Sequence, residues 1–479
     1  MAKKDSKNKV LTKKYAMTMV ILLFMAIGIT FLSMLIGARN VNFMTEYYLQ
    51  FLVATCFIFV LFVSVCFSVN SETHDKSVVF KNISIVVSSI TIGLLVSVAF
   101  KEFIDEMALV LIFPALIVSV LLGRKVAMYT NVMTSIAYVV LILLEAIVSQ
   151  SSISACSLIA ALLSLLSGIF MISLVKKNYT RYKMIVGSIC YAALVAVSAM
   201  PASLLYTFNY RLIMNNALWL FVGQAIAIAL YSVLLPLYER AFEVYTDFTL
   251  AELASFSHPL LVRLREEAPG TFNHSLVVGN LAESCAIAVG EDPYLARVCA
   301  YYHDVGKLKN PYMFIENQDG SYNPHDELIP EISAKMITRH ASAGYEILRE
   351  YHMPEGIAKI AKEHHGTSPV MFFYMKAQKI TEGKLSMTNY TYDGPKPSTK
   401  ISAIIMICDT VEAAVRARQP KTEEELREFV KKMIKDKMDL QQFDDCGITF
   451  NDLKIIEDEI VKTIPSIFHH IIDYNKEKK

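Results

Sequence analysis

The chain has 479 residues, 54% of them hydrophobic and 19% charged, with a formal net charge of +1. This length accommodates two or three domains, and the near-neutral balance gives no electrostatic reason to expect a nucleic-acid polymer as partner. The apolar excess lies before about residue 240 and raises the mean hydropathy to +0.40, which excludes a wholly soluble protein and reads as a membrane domain followed by a soluble one.

Residues 1–14 are basic, and an apolar run from Tyr15 to Gly37 follows without a small-residue cleavage site, which predicts an uncleaved helix rather than a signal peptide. Seven further apolar runs, at about 49–69, 81–100, 106–123, 126–148, 152–175, 184–206 and 217–237, bring the expected spans to about eight. With the N-terminus inside, the inner loops carry Lys76, Lys81, Arg124, Lys125, Lys176, Lys177, Arg181, Lys183 and Arg240, against Arg39, Lys101 and Arg211 outside. The positive-inside bias therefore expects both termini in the cytoplasm of a multi-pass membrane protein. Asp105 and Glu145 fall near span ends and read either as interfacial residues or as marks of a ligand cavity. From 238 to 257 the apolar residues Phe242, Tyr245, Phe248, Leu250, Leu253 and Phe256 alternate with acids, predicting an amphipathic connector helix suited to coupling or to homodimer contact.

The soluble part, 258–479, reads as all-α. Helical periodicity recurs at 273–289, 293–306, 331–350, 355–365, 400–417, 422–437 and 450–463, with Gly and Pro in the loops and no alternating strand pattern. The eight cysteines form no CxxC and read as small core residues of a reducing compartment. Five of the 11 His, at His274, His303, His340, His364 and His365, fall within these helical patterns. His303 is followed directly by Asp304 and then Lys307, an offset that lets the three share a helix face, and Asp409 lies in a later apolar helix. Imidazole and carboxylate donors together suit Fe, Mn or Zn, a carboxylate is able to bridge two ions, and the absence of Cys donors argues against a structural zinc cluster. His469 and His470 read as ordinary histidines.

The set H, HD, H, HH, D resembles the HD-domain metal-dependent phosphohydrolases. The flanking strings are more specific: HPLLVRLREEAPGT at 258–271, NLAE at 280, HDVGK at 303, PYMFIENQ at 311, NPHD at 323, EHHGT at 363 and YDGPKP at 392. Across most of 240–475 they resemble the bacterial seven-transmembrane-receptor HD-domain family, whose characterised members hydrolyse cyclic di-AMP. The resemblance implies two divalent metal ions, Mn²⁺ or Fe. His274, His303, Asp304 and Asp409 would hold one and His340, His364 and His365 the other, with Asp304 bridging. Such a pair activates a water for in-line attack on phosphorus and holds the phosphate oxygens, and Lys307 would neutralise part of the developing charge. Asp304 and Lys307 are thus the expected catalytic residues, and Lys307, Tyr312, Phe314, Tyr390 and Tyr392 the expected substrate contacts, the aromatics by stacking on adenine.

The expected product is linear pApA. Cyclic di-GMP or guanosine tetraphosphate as substrate, and a non-catalytic nucleotide-binding receptor, are the competing readings. No GYP triplet follows His303-Asp304, which separates the chain from the HD hydrolases that carry one. The chain departs from the family in Asn273 and Ile401, and in the dozen or so residues, Ala38 to Tyr48, where a large extracellular domain is usual.

Overall fold

The computed structural model describes residues 2–37, 47–73, 78–174, 181–318, 320, 322–380 and 385–467. The interval between the first two spans, the basic residues Arg39, Lys76, Lys176 and Lys177, and His469 and His470 lie outside them. The described chain is all-α, without a strand; Pro369 and Thr391 form an isolated bridge. It divides into two compact units, Met1–Phe248 and Thr249–Lys479.

The first unit is built from α1 (Ala2–Gly37), α2 (Tyr48–Glu72), α3 (Val79–Phe103), α4 (Ile112–Leu121), α5 (Arg124–Val148), α6 (Ala155–Leu174), α7 (Arg181–Ser203) and α8 (Tyr210–Phe242). All but α4 are long and apolar enough to cross a bilayer, seven among the described residues. In hydrocarbon a backbone amide has no water to bond, so only the helix satisfies it within one segment, and apolar residues such as Phe67 and Leu194 on the outer faces suit that solvent. Between the helices, apolar side chains such as Phe62, Ile90 and Tyr138 pack together with small and polar residues, among them Ser89, Ser97, Thr130, Thr134, Ser164 and Ser167.

The run at 106–123, expected as one span, is not a single helix. Only Ile112–Leu121 is helical, ten residues and too short to cross alone. Contacts within the unit nevertheless show that residues 104–123 traverse it. At one face Lys125 pairs with Glu72 at 3.2 Å and Lys81 Nζ reaches the Glu243 carbonyl at 3.5 Å. At the other, Lys101 pairs with Glu145 at 2.5 Å, Ser157 donates to Glu106 at 3.0 Å and Asn215 to Asp105 at 3.2 Å. The chain passes from Asp105 at the second face to Arg124 at the first through an unwound stretch followed by α4, so this broken element with the seven helices makes eight traverses.

The unwound amides find local acceptors: Met107 N donates to Asp105 Oδ1 at 2.9 Å, and Val110 N to Ser97 Oγ at 3.1 Å. Non-helical backbone at this depth survives only where protein covers it, and α8 does so through Gly223. A Cβ there would come within 2.7 Å of the Ala108 and Leu109 backbone. Asp105 and Glu145, the two acids read as interfacial residues or cavity marks, are thus engaged by the unit's own groups. Met34 near the end of α1 packs with Leu144 and Val148 at the second face, so the start of that span and the end of α8 share the first.

The stretch 238–257 is not one amphipathic helix. Helix α8 closes at Phe242 on left-handed Glu243 (φ 47°), and a seven-residue helix, α9 (Asp247–Leu253), follows after a loop.

The second unit contains α10 (Pro259–Glu267), α11 (Pro269–Val289), α12 (Pro293–Tyr302), α13 (Pro330–Glu350), α14 (Glu355–Glu363), α15 (Met371–Ile380), α16 (Lys400–Arg418), α17 (Glu423–Asp439) and α18 (Phe450–Ile467). Their starts are written in the sequence: Asp292 accepts from Tyr294 N and Leu295 N, Thr399 from Ser402 N and Thr422 from Glu425 N, while Pro occupies the first helical position of α10, α11, α12 and α13. Helix α16 runs through the middle of the unit, buried from Ile401 to Asp409 without a break. The predicted helix 293–306 ends at Tyr302 and continues as a 3-10 turn over Val305–Lys309.

Candidate metal centre

Five helices and one turn deliver the side chains. His274 projects from α11, His303 caps the end of α12, Asp304 and Lys307 belong to the turn that follows, His340 comes from α13, His364 and His365 from the end of α14, and Asp409 from α16. His303, Asp304 and Lys307 do not share an α-helical face, as their spacing suggested. The tighter turn is needed because the segment is pressed onto α13: a Cβ on Gly306 would fall on the carbonyl oxygen of His340 and 2.5 Å from the amide nitrogen of Gly344.

All seven donors named from the sequence come together. Their ligand atoms form two groups, His274, His303, Asp304 and Asp409 in one and Asp304, His340, His364 and His365 in the other, each with its atoms within 4.8 Å of one another. Asp304 belongs to both. Its Oδ2 lies 3.3 Å from His303 Nε2 and 3.5 Å from His274 Nε2, and its Oδ1 lies 3.2 Å from His340 Nε2 and 3.6 Å from His364 Nε2. Asp409 Oδ1 lies 3.0 Å from His274 Nε2, and Oδ2 lies 3.6 Å from His365 Nδ1.

Backbone carbonyls orient three of the rings. Nδ1 of His303, His340 and His364 donates to the carbonyls of Ala300, Ile337 and Ala361 at 2.6, 2.7 and 2.8 Å, which leaves each Nε2 lone pair turned inward. His274 is held by a carboxylate instead, donating from Nδ1 to Glu412 at 2.5 Å, while Arg416 braces Glu412 from its other oxygen.

The fit to a cation can be tested on the polar atoms themselves. His303 Nε2 and Asp304 Oδ1 are fully buried, and among the described residues neither has a hydrogen-bond partner. Leaving such atoms unpaired costs about 1–3 kcal/mol each, more when charged, and a metal ion would relieve it. Protonation points the same way. Burial opposes ionisation of Asp304, yet Lys307 and His303 hold it well below the usual carboxylate range. Burial likewise opposes a charge on His303, but Asp304 and Asp409 raise it to about 10. Burial pulls His364 down to about 4, so that ring is a neutral donor. The two ionised carboxylates thus hold a proton on His303, in the place a cation would take, while His364 stays neutral, so the pocket calls for positive charge.

A cavity of about 790 Å³ opens on this cluster, lined by His274, Lys307, Phe314, His340, His365, Tyr392 and Asp409 among others. That is within the range of small-molecule sites, roughly 300–1,000 Å³. Tyr392 stacks on His365 with ring centroids 4.3 Å apart, and Phe314 meets His340 edge-on at 5.5 Å. Two expected stacking residues lie elsewhere. Tyr390 is fully buried with its hydroxyl on Glu331, and Tyr312 is 73% exposed; neither lines the cavity. Lys307 does line it, but is ion-paired to Asp304 at 2.8 Å and Glu316 at 2.6 Å.

The sequence reading missed Glu412 and Glu316. Glu412 was detectable in principle, since it follows Asp409 by three residues on one helix. Glu316 lies in a 3-10 turn, where spacing carries no facing information. Glu412→Gln is expected to lower metal affinity roughly tenfold to hundredfold by weakening the hold on His274, read by metal titration of the purified protein.

Fold and donor set together define an HD domain, and residues 271–414 match the family model of that name. The chain is 44% identical over 258 residues to the cyclic-di-AMP phosphodiesterase PgpH of Listeria monocytogenes, covering 54% of this chain and 36% of the relative. It is 42% identical over 246 residues to the cyclic-di-AMP phosphodiesterase PgpH of Bacillus subtilis, covering 51% and 34%. The crystal structure of the L. monocytogenes PgpH HD domain in complex with cyclic-di-AMP aligns with 44% identity and a TM-score of 0.43, covering 45% of this chain and all of that one. The chain is a PgpH-like member of the HD family, and it spans about a third of the length of the curated relatives it matches.

Proposed function

We propose that this protein is an integral-membrane, metal-dependent phosphodiesterase that opens cyclic di-AMP to linear pApA. The observation that carries the reading is the pair of donor groups sharing Asp304 at the floor of the cavity. The 44% identity to a cyclic-di-AMP phosphodiesterase over the same residues supports the choice of substrate over cyclic di-GMP or guanosine tetraphosphate. A donor set of five imidazoles and two carboxylates fits two first-row ions such as Mn²⁺ or Fe.

His274, His303, Asp304 and Asp409 would hold one cation and His340, His364 and His365 the other, with Asp304 contributing to both. When bound, the two ions would supply an activated water and charge to hold the phosphate oxygens. The chain's own groups do the rest. Lys307, fixed between Asp304 and Glu316, keeps its ammonium at the cavity wall beside the donors, where negative charge grows on the phosphoryl oxygens during in-line attack. Tyr392, packed against His365, and Phe314 line the cavity beside the donors, where their rings would meet adenine. The donor cluster is buried beneath the cavity floor, so charges there act with less screening than at a surface.

The placement of Lys81, Arg124 and Arg240 toward the face shared by the start of α1 and the end of α8 supports that face as cytoplasmic, with the lipid bilayer around the seven helices.

The direct test uses the full chain purified in detergent. Cyclic di-AMP is expected to give pApA, with slower turnover of cyclic di-GMP and guanosine tetraphosphate. Chelation should remove activity, and adding Mn²⁺ or Fe²⁺ should restore it. Undiminished turnover by protein shown to be metal-free would overturn the mechanism, and binding of cyclic di-AMP without hydrolysis by metal-loaded protein would favour a receptor.

A further inference from the structure

Three cations line the cavity among the described residues: Lys307, Arg416 and Lys437. Two are already neutralised. Lys307 sits between Asp304 and Glu316, and Arg416 pairs with Glu412. Lys437, in the last turn of α17, is partly buried and differs from both. Its Nζ meets the Ser368 hydroxyl at 3.0 Å, and among the described residues no carboxylate lies within ion-pair distance. A hydroxyl supplies a dipole but no charge, so the ammonium lacks the compensation that partial burial calls for. A cation held by Asp409, which lines the same cavity, would offset that carboxylate's charge and sharpen that demand.

The arrangement is also held in place. Gln442, just beyond α17, accepts from Thr367 N at 2.9 Å and donates to Thr367 Oγ1 at 3.0 Å, fastening the end of α17 to the loop that carries Ser368. Ser368 is tied in turn to the metal centre and to the stacking wall: its amide bonds the His365 carbonyl at 3.1 Å, and its carbonyl accepts from Tyr392 N at 3.1 Å. A rigid cation and hydroxyl, bridged by backbone to a metal donor and an aromatic platform, are built to receive an anion.

We propose that Lys437 and Ser368 form a second phosphate subsite, which holds the phosphodiester that is not at the metal centre. This rests on the proposed cyclic-dinucleotide reading, because such a substrate carries two phosphodiesters in one macrocycle and only one is cut at a time. Gripping the second fixes the ring so that the scissile phosphate presents its leaving oxygen in line. The subsite would also favour two-phosphate rings over simple phosphodiesters.

The test compares the full chain with Lys437→Met and Lys437→Arg, using cyclic di-AMP and bis(p-nitrophenyl) phosphate, which has a single phosphodiester. Lys437→Met is expected to raise KM for cyclic di-AMP roughly tenfold to hundredfold, the worth of a charge-assisted hydrogen bond, with bound metal unchanged. Its preference for cyclic di-AMP over the simple ester should fall by the same factor, and Lys437→Arg should recover part of it. Equal losses on both substrates, or no change on either, overturn the subsite while the proposed function stands. Wild-type protein that cleaves the simple ester but not cyclic di-AMP overturns the function, and the subsite with it.

Discussion

Asp304→Asn is expected to cut turnover of cyclic di-AMP by about a thousandfold or more, since it removes the one carboxylate that belongs to both donor groups. The substitution keeps the size of the side chain and exchanges an anionic oxygen for an amide that competes poorly for a cation. Loss of metal should accompany loss of rate, with elemental analysis showing less metal per chain than in the wild type. The helical fold should remain, because Lys307 keeps Glu316 as an ion-pair partner at 2.6 Å and the three histidines keep their backbone carbonyl anchors. The double change His303→Ala with Asp304→Ala should abolish hydrolysis altogether while leaving the circular dichroism helical. Unchanged turnover in either variant would refute the assignment.

Gly306→Ala should be nearly as damaging although it removes no functional group. The added methyl would collide with the His340 carbonyl, and backbone on both sides leaves no flexible side chain to move aside. The turn bearing Asp304 must then shift away from α13, which carries His340, and the 3.2 Å approach of these two donors is lost. Overpacking of this kind costs about 1–3 kcal/mol, occasionally more. A lowered melting temperature with reduced metal binding is the expected result. Gly290→Ala is the comparison: at φ +77°, with open space around it, it should cost only about 1 kcal/mol of local strain and leave metal binding intact. If both variants bound metal like the wild type, the close approach at Gly306 would not be what positions the centre.

The two variants also mark where sequence reading succeeds and where it stops. The HDVGK string makes His303 and Asp304 recognisable as donors because their chemistry is written in residue type. The reason Gly306 stands between them and Lys307 is invisible along the chain, since it depends on a helix that begins more than twenty residues later. Tyr390 shows the opposite failure. An aromatic residue in a motif-rich loop looks available for stacking, but burial against Ala334, Phe373 and Ala377 spends it on the core. The broken element at 106–123 was legible as apolar and not as unwound, because hydropathy measures transfer to lipid and carries no record of whether Ser97 or Asp105 waits to bond a free amide.

Sequence alone determined the division into an apolar and a soluble half and the all-helical class, and it picked out the seven candidate donors. Each of these is set by local quantities: hydropathy, periodicity and side-chain chemistry. Tertiary structure decided which donors meet and which cavity cation has no carboxylate at ion-pair distance among the described residues. Those outcomes depend on distances between residues far apart in the chain, and such distances exist only once the helices have packed.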